Sequence, residues 1–233
     1  MRRGIVIAVA AVVLGLAGAA GGYYLFAGKD EPAPVGLSDP APTTTAAASG
    51  ATSGSADGTW QVVRGGDTFV GYRVQEQLAF LSAPNQAVGR SGAVQGTLQL
   101  AGQKVTAADI KADLSQLASN QDRRDNAIRM AGLESSTYPE ATFVLSGPMQ
   151  LSATPKVGTT VSGDAAGKLT IHGQTRDVTI PLQGRWDGAT AQVAGSLRIN
   201  MPDYGITPPK LGPVQAIENA ATIELRLTFK KGS

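Results

Sequence analysis

Two alternating runs that meet at a short polar turn constrain this chain more than any other stretch. They read Gly167-Lys168-Leu169-Thr170-Ile171-His172-Gly173-Gln174-Thr175-Arg176-Asp177-Val178-Thr179-Ile180. Leu169 and Ile171 share one side of the first run. Val178, Ile180 and Leu182 share one side of the second. A period of two sends successive side chains to opposite faces of a strand, so each run has one face to bury. In the turn, His172-Gly173-Gln174-Thr175, Gly173 supplies a residue that can reverse the backbone. The segment predicts a β-hairpin, and it carries the chain's single histidine.

The same alternation recurs through the second part of the chain. Strands are expected at Trp60 to Val63, Thr68 to Val74 (Val70, Tyr72 and Val74 on one face) and Ala93 to Leu100. Others follow at Val105 to Leu117, Ala141 to Leu145, Thr160 to Ile171, Val178 to Trp186, Ala189 to Ile199 and Ala221 to Phe229. Gln75 to Gly92 reads as irregular, and Pro202 to Gln215, with four prolines and two glycines, as a loop. Asn120 to Gly132 breaks the pattern. Asp122 can cap a helix and Gly132 can end one, so one short helix is expected there. About eight strands with regular turn signals predict an all-β fold, a sandwich or an antiparallel barrel.

The first part of the chain is different. Arg2 and Arg3 precede an uncharged run from Gly4 to Gly28. As a helix this run would extend roughly 37 Å, enough for a hydrocarbon core of about 30 Å. Tyr23, Tyr24 and Phe26 stand at its far end, where interfacial aromatics belong. Residues 1–28 are therefore expected to be a single-pass anchor, N-terminus inside, with the remainder outside the cytoplasmic membrane. The competing reading is a signal peptide cleaved near Ala17, Ala19 or Ala20, which would release a secreted protein. Gly18 and Gly22 give a GxxxG spacing that can pair two helices, but in so Ala/Gly-rich a span it supports a homodimer only weakly. Residues 29–58 are rich in Pro, Ala, Thr, Ser and Gly without an apolar period, and are expected to be a disordered spacer. Residues 59–233 are the folded domain.

Composition removes several classes of function. The absence of cysteine excludes disulfides, thiol nucleophiles, thiolate metal sites and acylation of a lipoprotein cysteine. One histidine excludes a histidine-rich metal centre. A net charge of +2 without a Lys/Arg block offers no footprint for nucleic acid. There is no Gly-x-Ser-x-Gly elbow, phosphate loop, nucleotide fingerprint or zinc spacing. No catalytic residue, metal or cofactor is therefore assigned. His172 with Asp177 across the turn could serve proton transfer, but a bond from His172 to backbone that merely holds the hairpin is the plainer reading. Arg124 and Asp125 read equally as an ion pair docking the helix, or as part of an Arg123, Arg124 and Arg129 cluster for a phosphate.

Three segments in order carry a more specific signal. Arg124-Asp125, Arg129 and Tyr138-Pro139-Glu140-Ala141-Thr142-Phe143 resemble the "RDxxLR … YPxATF" segment of YceI-like proteins. Gly167 to Thr175 resembles their "GxLTIHGxT" hairpin. Tyr204-Gly205-Ile206 and Leu211-Gly212-Pro213 are similar to "FGI … LGP" before their last strand. The resemblance covers roughly Thr59 to Phe229. Gln75-Glu76-Gln77 stands where the family often has a histidine, and Ala127 replaces the histidine of "RDxHL". Typical members are also soluble secreted proteins.

The resemblance implies a lipocalin-like antiparallel barrel whose long apolar cavity holds an isoprenoid or another long-chain amphiphile. By themselves the apolar faces read as plain core. Under the resemblance they become cavity candidates: Phe69, Tyr72, Leu98, Leu114, Phe143, Ile171, Ile180, Leu182, Trp186, Leu197 and Leu225. Arg124, Arg129 and His172 become head-group candidates. The function expected is non-catalytic binding, transport or sequestration of such a lipid at the outer face of the cytoplasmic membrane. The alternative is an envelope protein-interaction module with a filled core. An envelope enzyme acting on isoprenoid-linked substrates ranks third.

Overall fold

The alternating runs pair into one sheet that closes on itself. The computed structural model describes residues 32–38, 55–79, 83–209 and 214–232. Its strands are β1 (Gly58–Val62), β2 (Phe69–Leu78), β3 (Asn85–Ser91), β4 (Val94–Ala101), β5 (Lys104–Asp113) and β6 (Glu140–Leu145). They continue with β7 (Met149–Gln150), β8 (Thr160–Ile171), β9 (Gln174–Trp186), β10 (Thr190–Asn200) and β11 (Val214–Lys231). Every strand pairing is antiparallel.

Three staves of the barrel are each built from two consecutive strands. β1 and β2 both lie against β11, at Trp60↔Lys231 and Val70↔Leu225. β4 lies against β1 and β3 against β2. β6 and β7 both lie against β5. Merging these pairs turns eleven strands into the eight staves expected, closed through β1 and β11. An eight-strand barrel has an interior wide enough for its own side chains or for one small ligand.

The β8–β9 hairpin has a tighter turn than the sequence suggests. Ile171 pairs with Gln174, so only His172 and Gly173 connect the strands. Both have positive φ, 51° and 70°. A two-residue turn with both central residues left-handed matches the twist of a hairpin. Histidine is among the side chains that tolerate this conformation, and glycine is indifferent to it.

Other boundaries also move. Gln75 to Leu78 continue β2, and β3 occupies most of the stretch expected to be irregular. Residues 87–89 of β3 are all buried, so both faces are covered and no alternation is left to read. β5 stops at Asp113, whose carboxylate accepts from Ser115 N at 2.8 Å and starts a single 3₁₀ turn at Leu114–Gln116. The helix α1 (Asp122–Ala127) runs into a π turn at Ile128–Gly132. Its N-cap is Gln121, without a side-chain bond, so Asp122 is not the cap. β11 begins at Val214, inside the expected loop.

No helix among the described residues is long and apolar enough to cross a membrane. The expected anchor at residues 1–28, with its GxxxG pair, lies outside the described residues, as does most of the 29–58 spacer. Two parts of that spacer are described, and both touch the barrel. The indole of Trp60 donates to the carbonyl of buried Ala56 at 2.9 Å. Residues 32–38 lie along the outer wall, where Arg226 Nε donates to Gly36 O at 2.8 Å.

Candidate functional site

Alternation along the staves fixes what faces the lumen. On β11, Ile223, Leu225, Leu227 and Phe229 line the interior, while Glu224, Arg226 and Thr228 take the other face. Repeated around the barrel, this gives two apolar lobes. The first has a volume of about 180 Å³ and is walled by residues such as Trp60, Leu98, Ile110, Phe143, Ile180, Leu182, Trp186, Leu197 and Leu225. The second, of about 140 Å³, lies between β2, Ile171, Ile199 and the segment carrying α1, with Leu114, Leu117, Ile128 and Leu133 as its cover. Val70, Ala141, Leu169 and Ile223 line both lobes. The lobes therefore meet at a waist of four side chains.

Glycines on neighbouring staves keep the lumen from filling. A Cβ on Gly89 would stand 2.4 Å from Tyr72 Cε1, and one on Gly167 would stand 2.5 Å from Phe143 Cζ. Each ring occupies the space that a side chain on the glycine of the next stave would need. Bare backbone at these two points is what lets the two aromatic rings approach so closely.

The sequence-derived cavity candidates divide between the lobes. Leu98, Phe143, Ile180, Leu182, Trp186, Leu197 and Leu225 wall the first; Tyr72, Leu114 and Ile171 wall the second. Phe69 is the correction. It lines neither lobe. Its place in β2 is out of phase with Val70 and Tyr72, and Arg90 and Arg226 lie over its ring at 4.0 and 5.8 Å.

The head-group candidates do not converge. Arg124 borders the second lobe, but its guanidinium pairs with Glu76 of β2 at 2.9 Å and donates to Asn120 at 3.0 Å. Both members of that pair are buried. Breaking such a pair leaves a buried charge uncompensated, so Arg124 ties α1 to the barrel. Its partner is Glu76 of the Gln75-Glu76-Gln77 triplet. Asp125 instead accepts from Ser119 N through both oxygens at 2.9 Å. Arg129 donates to Leu117 O at 2.8 Å and to Asn126 at 2.7 Å, with no bond shared with Arg124.

His172 lines neither lobe. Its Nδ1 lies 3.2 Å from Tyr204 O, and its ring packs edge-on against Tyr138 at 4.5 Å. Its Nε2 is 3.9 Å from Glu134, whereas Asp177 is exposed and paired with Lys168 at 2.9 Å. This arrangement matches a histidine that holds the hairpin to the 201–204 turn. Met201 and Tyr204 of that turn are buried, and burial pushes the Tyr204 hydroxyl above its ordinary pKa, opposed by Arg176. Among the described residues, no group of three or more His, Asp or Glu could hold a metal.

One polar group in the first lobe escaped the sequence reading. Trp186 Nε1 is buried and has no acceptor among the described residues. The ring stands edge-on to Trp60 at 6.4 Å and 84°. Trp186 was legible as an apolar wall residue, but nothing in the sequence indicates that its N–H lacks a partner. A buried donor left unpaired costs about 1–3 kcal/mol, and a ligand oxygen placed here would recover it.

A closed antiparallel barrel with two apolar lobes in its lumen is the class of fold these residues define. The model of the YceI-like domain matches residues 62–229, and the chain belongs to that family. It is 31% identical over 144 residues to a UPF0312 protein of Pseudomonas syringae pv. tomato, covering 58% of this chain and 68% of the relative. A UPF0312 protein of Vibrio cholerae is 35% identical over 109 residues, 42% of this chain and 51% of the relative. The fold is similar to that of a polyisoprenoid-binding domain from Saccharophagus degradans. The TM-score is 0.60 at 18% identity, over 74% of this chain and 98% of that one. It is also similar to BcnA of Burkholderia cenocepacia, with a TM-score of 0.50 at 21% identity, over 69% and 95%.

Proposed function

We propose that the barrel binds one long-chain amphiphile in its lumen without chemically changing it, carrying or sequestering that lipid outside the cytoplasmic membrane. The observation that carries this reading is the pair of apolar lobes that share Val70, Ala141, Leu169 and Ile223 as lining. A flexible hydrocarbon chain is a shape that can run through such a waist. Burial contributes about 0.8 kcal/mol per CH₂, so a dozen carbons suffice for tight binding without any reaction. The polyisoprenoid-binding domain from Saccharophagus degradans supports the class of ligand by its fold. Residues 1–28 supply the anchor in this reading, which would place the barrel where lipid is collected or returned.

Organic extraction of the full chain, purified from its own membranes without added lipid, followed by mass spectrometry, tests the reading. A long-chain lipid at one per protein is expected. A protein that is empty, and that takes up neither isoprenoids nor fatty acyl chains, overturns it in favour of an envelope interaction module. Intact mass in the same sample distinguishes an uncleaved anchor from a cleaved signal peptide.

A further inference from the structure

The outer wall of the barrel carries a second built site, remote in chemistry from the lumen. Glu224 of β11 and Arg73 of β2 belong to the outward phase of their strands, yet they are 2% and 8% exposed. Charged side chains on an outer face normally stand in water. Here the segment Pro32-Ala33-Pro34-Val35-Gly36-Leu37-Ser38 lies across them.

The wall reads that segment by its backbone. Arg73 Nη2 donates to Pro32 O at 2.7 Å, Arg90 Nη2 to Ala33 O at 3.3 Å and Arg226 Nε to Gly36 O at 2.8 Å. Arg185 Nη2 donates to Ser38 O. In the other direction, Val35 N donates to Glu224 Oε1 at 3.4 Å and Ser38 N to Gln192 Oε1 at 2.5 Å. Ser38 Oγ donates to Asp67 at 3.0 Å. The strip therefore crosses β2 and β3, then β11, then β10 and β9. It bridges five neighbouring strands.

The floor is itself organised. Arg73 Nε pairs with Glu224 at 2.9 Å, Arg90 approaches the same carboxylate at 3.6 Å, and Arg73 Nη1 donates to Gln86 at 2.8 Å. This accounts for Phe69, which sits beneath Arg90 and Arg226 as the apolar part of the same floor.

We infer that this wall is a binding site for an extended, proline-containing peptide backbone, and that its occupant is residues 32–38 of the same chain. Prolines reduce the conformational freedom lost on docking. About sixteen residues separate Ser38 from Ser55, and a connection of that length gives a millimolar effective concentration. Weak contacts then suffice to keep the strap seated. The consequence rests on the anchor placed under the proposed function. With the strap docked, four peptide steps join Gly28 to Pro32, at most about 15 Å. A free spacer of thirty residues would instead reach roughly 30 Å on average. The docked strap holds the barrel close to its membrane, and release lengthens the tether.

Hydrogen exchange on the full chain in a detergent micelle tests this without any lipid ligand. The amides of Val35 and Ser38 are expected to exchange at least tenfold more slowly than in a free synthetic peptide of residues 30–40, independently of protein concentration. In the double variant Arg185→Ala, Arg226→Ala that protection should vanish while β8 and β11 exchange as before. A synthetic peptide of residues 30–40 should compete only at millimolar concentration. Coil-like exchange of Val35 and Ser38 in the unmodified protein overturns the inference. Protection that grows with protein concentration also overturns it, by assigning the groove to a second copy.

Discussion

At the scale of single residues, Trp186 is where lumen and chemistry meet. Its wall is largely hydrocarbon, and its indole N–H has no acceptor among the described residues. Trp186→Phe keeps an aromatic edge toward Trp60 while removing the unpaired donor. The ligand-free variant should be as stable as the parent or more so, by up to about 1 kcal/mol, because a desolvated donor disappears. Its affinity for a lipid bearing an oxygen near the head should fall roughly 2- to 12-fold, the range of one net hydrogen bond. Thermal unfolding of the delipidated protein and a binding titration read the two effects separately. A loss of stability with unchanged affinity would make Trp186 an ordinary packing residue. The sequence could identify Trp186 as apolar wall, because its phase in β9 matches Ile180 and Leu182. It could not identify the partnerless N–H, which depends on what the other staves place nearby. Phe69 was misplaced for a related reason. It is adjacent to Val70, and two neighbouring apolar residues on one strand do not say which of them faces in.

At the scale of elements, the turns were more legible than the staves they connect. Asp187-Gly188 separates the strands expected at Val178 to Trp186 and Ala189 to Ile199, and the structure shows how it turns the chain. The Asp187 carboxylate accepts from Ala189 N at 2.8 Å, Thr190 N at 2.6 Å and Thr190 Oγ1 at 2.7 Å. Partial burial disfavours its charge, but these bonds outweigh that effect and hold its pKa below the ordinary value. A carboxyl whose pKa is lower folded than unfolded stabilises the fold above its unfolded value, near 4, and loses that contribution as pH falls through the folded value. Asp187→Ala should therefore cost about 1 kcal/mol at neutral pH, a difference that shrinks below about pH 4. Denaturant midpoints of both proteins between pH 7 and pH 2.5 test this, and a pH-independent gap would assign the cost to the turn backbone. What the sequence concealed was continuity. β1 with β2, β3 with β4, and β6 with β7 each form one stave with a break. β3 was invisible because its residues 87–89 are buried on both faces, which leaves no alternation to read. The strap was missed because it is bound through carbonyls and amides, groups that every residue carries and no composition reveals.

At the scale of the molecule, the ligand depends on whether two lobes act as one. Separate lobes would each take a short apolar group, whereas joined lobes would take a chain. The four waist residues decide between these, and Ala141 is the smallest of them. In Ala141→Phe a ring would stand in the passage from the first lobe to the second. Overpacking of this kind costs about 1–3 kcal/mol, so the fold should survive with a lowered melting temperature. A series of saturated fatty acids of increasing length then reads the lumen directly. In the parent protein each added CH₂ should raise affinity about fourfold, the equivalent of about 0.8 kcal/mol, until the chain fills both lobes. In the variant the rise should stop at roughly half that length, since a longer chain would have to leave its end in water. Short chains that fit one lobe should bind both proteins alike, which separates a blocked waist from a damaged fold. If the two proteins show the same dependence on length, the lobes do not share a ligand, and the lumen binds small apolar groups rather than a long-chain lipid.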